Sequence, residues 1–245
     1  MKKRIDQLLV EKGFAPTRAK AQGFIMAGQV LVVGHKVTKA GDMVAEDAHI
    51  EVIQRSPYVS RGAEKIAGAT EVFKLDFAGT VIADVGSSTG GFTDYALQHG
   101  ATKVYAIDVG TGQLEWKLRN DPRVVVMEKT HIKHVKDLPD AIDLWVVDVS
   151  FISLRKVLPE IVRIAHESTL SKVDAVVLFK PQFEAGKEIV DKTKGVIKDA
   201  AIHEQLLKEF RNWCTEHDFT VISETTSPIV GDKGNREFFF HIQHT

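Results

Sequence analysis

The stretch Val81–Asp94, reading Val-Ile-Ala-Asp-Val-Gly-Ser-Ser-Thr-Gly-Gly-Phe-Thr-Asp, constrains the fold of this chain more than any other. A short apolar run ends in Asp84, a Gly/Ser turn follows, and an amphipathic helix begins. That order is a strand, a glycine loop and a helix N-terminus, where open α/β sheets hold nucleotide-like ligands. From Thr80 onward the pattern alternates. Strands are expected at 80–85, 103–108, 123–127, 142–148 and 173–180, and helices at 91–99, 113–119, 154–167 and 199–216. Two late strands, 219–225 and 236–243, follow each other with no room for a helix. The spacing predicts an α/β fold, a doubly wound and mostly parallel sheet with an antiparallel strand. Residues 181–198 are Gly/Lys-rich with weak periodicity, longer than a routine connection, and so expected to be functional or mobile.

The first fifty or so residues read differently. A helix is expected at 4–12, with Ile5, Leu8, Leu9 and Lys12 at helical spacing and Gly13 at its end. A second begins after Thr17 as N-cap, buries Ala21, Phe24 and Ile25, and stops at Gly28. Short strands at Val30–Val33, from Val37, and at His49–Ile53 are separated by turns at Gly34-His35-Lys36 and Gly41-Asp42. This is a small α+β block. Residues 1–54 are taken as one domain, 55–62 as a linker in which Pro57 holds Ser56 extended, and 63–245 as a second domain opening on a helix at 63–72. Residues 1–55, Arg55 included, carry nine basic residues against six acidic ones, in a 245-residue chain of net charge −1. Arg18 and Lys20 stand in the first turn of the second helix, where the macrodipole disfavours cations. Approaching phosphates would explain them, and so would a solvated helix start.

Composition excludes several classes. The single cysteine, Cys214, permits no intrachain disulfide and fits a reducing compartment. No apolar run is long enough to span a bilayer, and Asp6, Gln7 and Glu11 interrupt any signal-peptide core. A cytoplasmic protein without membrane partners is expected. The ten histidines form no metal-ligand spacing, so no metal is expected. Trp116 and Trp145 read as core residues.

A dinucleotide fingerprint needs glycines at i, i+2 and i+5. Counted from Gly86, those positions hold Gly86, Ser88 and Gly91, so the middle one fails. The loop Gly86-Ser87-Ser88-Thr89-Gly90-Gly91-Phe92 suits a ligand with less phosphate. Asp108 ends the second expected strand, where a carboxylate can take a ribose hydroxyl pair. The pocket therefore suits a nucleoside, and S-adenosylmethionine fits, with its amino-acid end near the loop amides and Asp84. NAD remains an alternative. Glu128 and Lys129 follow the third strand, where a polar side chain could read an adenine amine. Phe151 could cover the adenine or sit in the core.

Asp148 and Lys180 end the fourth and fifth expected strands, at the edge where such sheets bind ligands. A lysine after an apolar run is a candidate for burial, which would lower its pKa and let it take a hydroxyl proton. Glu237 opens the last strand and could meet Lys180 or Lys65. Each of the four could also be an exposed charge at an element end.

Taken together, Lys65, Asp148, Lys180 and Glu237 look like the Lys-Asp-Lys-Glu tetrad of FtsJ-type ribose 2′-O-methyltransferases, which implies a Rossmann-like S-adenosylmethionine-dependent fold. The N-terminal strings Arg4-Ile-Asp-Gln-Leu-Leu-Val, Thr17-Arg-Ala-Lys-Ala21, Ile25-Met-Ala-Gly28 and Val37-Thr-Lys-Ala-Gly41-Asp42 resemble the S4 RNA-binding domain. That resemblance implies RNA contact through the basic helix start and a neighbouring strand, at Arg4, Arg18, Lys20 and Lys36. Gly34-His35 stands where an Asn-Gly turn is common. The strings Tyr58-Val-Ser-Arg61-Gly-Ala-Glu-Lys65, Asp148-Val-Ser-Phe151-Ile-Ser153, Phe179-Lys-Pro-Gln-Phe-Glu184 and Gly231-x-Lys-Gly-Asn235-x-Glu237 are similar to the haemolysin A (TlyA) group, an S4 domain fused to an FtsJ-like methyltransferase. The likeness runs almost end to end. It implies 2′-O-methylation of cytidine in ribosomal RNA, with ribosomal subunits as partners and Arg61 near the RNA. Lys180 would be the base or its activator, Asp148 and Lys65 would align hydroxyl and methyl donor, and Glu237 would set the lysines' charge. Arg55-Ser-Pro-Tyr58 departs from the group's usual linker. An RNA-binding protein with an inert methyltransferase fold, and a membrane-active haemolysin, are the competing functions.

Overall fold

The computed structural model describes residues 1–53, 57–167 and 172–244. It divides into two compact units, Met1–Pro57 and Tyr58–Thr245. Residues 54–56, the end of the expected first domain and the start of the expected linker, lie outside the described residues.

The first unit contains β1 (Lys2–Arg4), α1 (Ile5–Glu11), α2 (Arg18–Met26), β2 (Val30–Val32), β3 (His35–Val37), β4 (Met43–Ala45) and β5 (Ile50–Val52). The Thr17 hydroxyl accepts from the Lys20 amide and caps α2. Strands β3, β2 and β5 form one antiparallel sheet, and β1 pairs with β4 in a second. Neither β1 nor β4 was expected, since three-residue strands are too short to show alternation. The first hairpin turn sits one residue earlier than the sequence suggested. Val33 and Gly34 take φ of 50° and 76°, the two positive values of a type I′ turn. A β-branched residue is unfavourable there, and the spelling therefore pointed one residue too far along. Ile5, Leu8, Leu9, Ala21, Ile25, Val30 and Ile50 form the core of this unit. Lys12 is the C-cap of α1, its amide donating to the Leu8 carbonyl, and its exposed side chain is not part of that core.

The second unit runs α3 (Gly62–Phe73), β6 (Val81–Val85), α4 (Gly91–Gln98), β7 (Lys103–Ile107), α5 (Trp116–Arg119), β8 (Val124–Met127), β9 (Leu144–Val147), α6 (Leu154–Glu167), β10 (Val173–Phe179), α7 (Pro181–Glu184), α8 (Lys187–Thr193), α9 (Ala200–Glu216), β11 (Phe219–Thr226) and β12 (Phe238–His244). Its seven strands are ordered β11-β12-β10-β9-β6-β7-β8, with β12 alone running antiparallel. Both faces of the sheet are covered, which explains the continuous apolar runs of β9 and β10. Ala83, Val85, Trp145, Val147, Val177 and Phe179 pack with α6 and α9 on one face. Ile82, Val104, Val146, Val176, Leu178 and Phe239 pack with α3 and α4 on the other.

Three expectations need correction. Trp145 is fully buried, but Trp116 is 72% exposed, because the helix carrying it is a single turn rather than residues 113–119. The segment 181–198, expected as a long connection of weak periodicity, holds α7 and α8. Residues 58–61, counted in the expected linker, are bonded into the second unit. The Val59 amide donates to Asp94 on α4, and Tyr58 packs on Tyr95.

Candidate functional site

Register brings the four tetrad residues together. Phe179 of β10 stands opposite Phe238 of β12, so the residues just beyond that pair, Lys180 and Glu237, leave the sheet at the same edge. Val177 pairs with Val147 in the parallel ladder, which sets Asp148 beside them. Lys65, one turn into α3, completes the group. The Lys65 ammonium is 2.7 Å from a Glu237 carboxylate oxygen and 3.7 Å from Asp148. Lys180 is 2.6 Å from the other Asp148 oxygen and donates to the Ser150 hydroxyl at 2.9 Å. The charges therefore alternate, Glu237, Lys65, Asp148, Lys180, and end on a hydroxyl. The Glu237 and Lys180 side chains are 3% and 8% exposed, so the chain of charges is largely withdrawn from water.

Two residues outside that expected set hold it in place. Glu184, buried at the end of α7, accepts from the Ser153 hydroxyl and from the Leu154 amide, each at 2.7 Å. It caps α6 from a distance and ties the Asp148–Ser153 loop to the turn that follows Lys180. Burial raises its pKa, and the Ser153 and Leu154 hydrogen bonds oppose that rise. Ser150 and Glu184 stand inside the motif strings, but only the adjacency of the two loops reveals what they touch. Phe151 is 91% exposed with φ of 63°, so it is not a core residue. Its ring meets Phe183 at 5.0 Å.

The glycine loop lies one strand away. Gly86 has φ of 87°, and a Cβ there would lie 2.5 Å from the Asp148 carbonyl oxygen. Its missing side chain thus lets the loop lie against the strand end that carries Asp148. A Cβ on Gly91 would meet the Ser60 hydroxyl at 2.5 Å, so this second glycine allows α4 to start against the entry to α3. Ser87 and Phe92 are buried, while Ser88 and Thr89 are exposed. Asp108 accepts from the Ser88 and Gly110 amides at 2.8 and 2.7 Å, which fixes its carboxylate at the loop. Glu128 accepts from the amides of Gly112, Gln113 and Leu114 and from Arg119, and these bonds hold its pKa low, at about 2. In this structure its carboxylate is engaged in shaping the 112–114 turn. Lys129 is exposed with φ of 54°.

Asp84 is the telling residue of the pocket. It is 1% exposed and accepts from the Thr93 amide and hydroxyl, both on one oxygen. The other oxygen, Oδ1, is buried with no hydrogen-bond partner among the described residues. Burial pushes the Asp84 pKa up to about 7, Thr93 resists this, and the nearby Asp148 and Asp108 charges add to it. A buried carboxylate oxygen without a donor suits a ligand that brings a cation, and the α-ammonium of S-adenosylmethionine is such a group.

In the first unit the basic residues are more committed than the sequence suggested. Arg4 donates twice to Asp6, and Arg18 and Gln22 donate to the same carboxylate. Asp6 is fully buried, and these bonds hold its pKa well below the usual carboxylate range. The cation at the start of α2 that the macrodipole disfavours thus has an internal counter-ion, Asp6. Arg18 keeps a half-exposed side chain nonetheless. Lys20 lies over the Phe24 ring at 5.6 Å, and Lys20, Lys36 and Arg61 are exposed.

Residues 58–244 match the FtsJ-like methyltransferase family, and residues 3–50 match the S4 domain. The chain is 40% identical to a protein named 16S/23S rRNA (cytidine-2′-O)-methyltransferase TlyA from Mycobacterium tuberculosis, over 98% of this chain and 89% of that one. It is equally 40% identical to Hemolysin A of Brachyspira hyodysenteriae, over 97% of this chain and 98% of that protein. A solved Streptococcus thermophilus structure superposes with a TM-score of 0.74 at 38% identity, covering 100% of this chain and 89% of that chain.

Proposed function

From the premise that this chain belongs to the FtsJ-like methyltransferase family, we propose that it transfers a methyl group from S-adenosylmethionine to the 2′-hydroxyl of a cytidine in ribosomal RNA. The alternating tetrad Glu237–Lys65–Asp148–Lys180 is the observation that carries this reading. The first unit, matching the S4 domain, serves as the RNA-binding module, and a cytoplasmic location goes with a ribosomal substrate.

The cofactor supplies a methyl group already activated on a sulfonium, which departs as a neutral thioether. Little base strength is then needed, and alignment contributes much of the rate. Lys180 is the group that takes the hydroxyl proton as the new O–CH₃ bond forms. Asp148 and Ser150 hold its nitrogen on two sides, and it takes the proton as the neutral amine. Lys65, held between Glu237 and Asp148, shares the Asp148 carboxylate with Lys180 and fixes its orientation. Asp84 would hold the cofactor's ammonium through its unpartnered oxygen, and Asp108 would hold its ribose hydroxyls. Lys20 and Lys36 meet RNA phosphates from the first unit, while Arg4 and Arg18 contribute what their contacts with Asp6 leave free.

The test is transfer of labelled methyl from S-adenosylmethionine to isolated ribosomal subunits, with 2′-O-methyl sites then mapped. Wild-type protein should modify a cytidine ribose. Lys180→Ala should lose transfer by about a thousandfold or more while binding the cofactor as wild type does. RNA binding without any transfer by the wild-type protein would leave only an inert methyltransferase fold. No helix among the described residues is long and apolar enough to cross a membrane.

A further inference from the structure

The tetrad has two lysines and two carboxylates, and Asp84 and Asp108 stand beside it. The site therefore offers no net attraction to a polyanion, and the grip on RNA next to the reacting ribose must come from cations outside it. The structure holds such a group, built onto the same loop that carries Glu237.

Asn235 is 3% exposed and works as a staple. Its side-chain amide donates to the Gly195 carbonyl at 3.0 Å and its side-chain oxygen accepts from the Ile197 amide at 3.1 Å. The Ile197 carbonyl meets the His203 ring at 3.0 Å, and the Ile197 side chain is buried. Residues 195–197 are thus fixed at three backbone groups and one side chain. Lys194 and Lys198 flank this fixed segment, and both are exposed. On the other loop, Lys233 and Arg236 flank Asn235 and are exposed as well. None of these four cations forms an ion pair with a described side chain. Lys192, close by in sequence, is by contrast paired to Glu188.

Between the loops runs a cleft lined by Ile197, Lys198, His203, Val230, Gly234 and Arg236. Two cations face an apolar floor, and Gly234 has open space where a side chain would stand. Arg236 immediately precedes Glu237, so the cleft adjoins the tetrad covalently. The glycine at 231 fixes the same link from the inside, because a Cβ there would lie 2.0 Å from the Glu237 carboxylate.

We propose that this cleft binds the phosphodiester backbone of the RNA strand next to the methylated ribose, with Lys198 and Arg236 as its phosphate contacts. Asn235 sets their distance from the tetrad and acts as a positioning residue. The inference rests on the reading of the tetrad as an RNA 2′-O-methyltransferase site.

The experiment uses the full chain, ribosomal RNA fragments containing the mapped site, and a salt titration. Lys198→Glu with Arg236→Glu should raise the KM for RNA about tenfold or more and leave S-adenosylmethionine affinity unchanged. The slope of log affinity against log salt should become shallower by about one to one and a half. Lys74→Glu with Lys172→Glu, the same change in net charge at the opposite edge of the sheet, is the control and should do far less. Unchanged KM and salt slope in the first pair would overturn the proposal, and so would an equal loss in the control pair. If wild-type protein transfers no methyl to RNA at all, it is the underlying reading that fails rather than the cleft.

Discussion

Two buried aspartates, one in each unit, have opposite fates. Asp6 and Asp84 are 0% and 1% exposed. Asp6 receives two arginines and a glutamine, and its pKa falls well below the usual range. Asp84 receives only Thr93, keeps one oxygen without a partner, faces two further carboxylates, and its pKa rises to about 7. The difference lies in partners, not in burial. A carboxylate whose every lone pair is met inside the protein stabilises it. One left short of a donor destabilises it and is ready to receive a ligand. Cation type follows the same division. Asp6 is met by arginines, which do not release protons, whereas the tetrad uses lysines, which can.

The largest effect should come from exchanging cation type in the tetrad. Lys180→Arg keeps the charge but removes the amine that can become neutral and act as a base, and transfer should fall about a thousandfold, as for alanine. Near-normal transfer by the arginine variant in a methyl-incorporation assay would mean that charge alone matters at this position. The reverse exchange, Arg18→Lys, should cost only about 1 kcal/mol, since Arg4 and Gln22 still serve Asp6.

Removing Asp6 should be the next largest effect. Asp6→Ala should lower the stability of the first unit by about 2 kcal/mol, less than a wholly buried pair would lose because both arginines are partly exposed and regain water. Asp84→Asn should have the opposite sign. The second unit should gain about 1 kcal/mol at pH 8, where the native carboxylate is charged and underpaired, while S-adenosylmethionine affinity falls about tenfold. Denaturant unfolding and titration calorimetry read the two quantities. A destabilised Asp84→Asn protein would remove the contrast between the two aspartates.

The smallest effect is a slope. Asp84 binds its proton more tightly folded than unfolded, so between about pH 4 and its folded value of about 7 the native state holds the extra proton and stability falls as pH rises. Glu184, also raised, adds a slope of the same sign. Asp6 acts oppositely, and its contribution is present above the unfolded carboxylate range and lost as pH falls through its depressed value. Unfolding at pH 5 and pH 7.5 should show the decline in wild type and a weaker one in Asp84→Asn. Equal declines would assign the slope to other groups.

The sheet was legible because both its faces are buried, so apolar runs such as Val173–Phe179 announce strands without needing alternation. Boundaries there fell within a residue or two. What failed were elements made by pairing rather than pattern. Lys2–Arg4 is a strand only because Met43–Ala45 lies beside it. Trp116 looked like core because an aromatic after an apolar pattern usually is, and the one-turn helix leaves it outside. In the site, Lys65, Asp148, Lys180 and Glu237 could be gathered by resemblance, and their separation along the chain hid the order in which they touch. Asp6 carried a local signal, since Arg18 and Gln22 stand four apart on one helix face, but nothing in the sequence says that α1 meets that face. Asp84 was visible as a strand-end carboxylate, and its missing donor was not, because an absent partner leaves no letter.

The place of β12 in the sheet has a consequence for how the protein is made. β12 is the last strand in the chain, yet it lies between β10 and β11 and brings in Glu237. During synthesis β6 to β10 can assemble with the cofactor loop in place, while β11 has no neighbour to pair with until β12 emerges. The capacity to hold the methyl donor thus precedes the capacity to use it. A chain arrested before its final strand would be a cofactor-binding sheet with an open edge, and chemistry would begin only when the last residues close it.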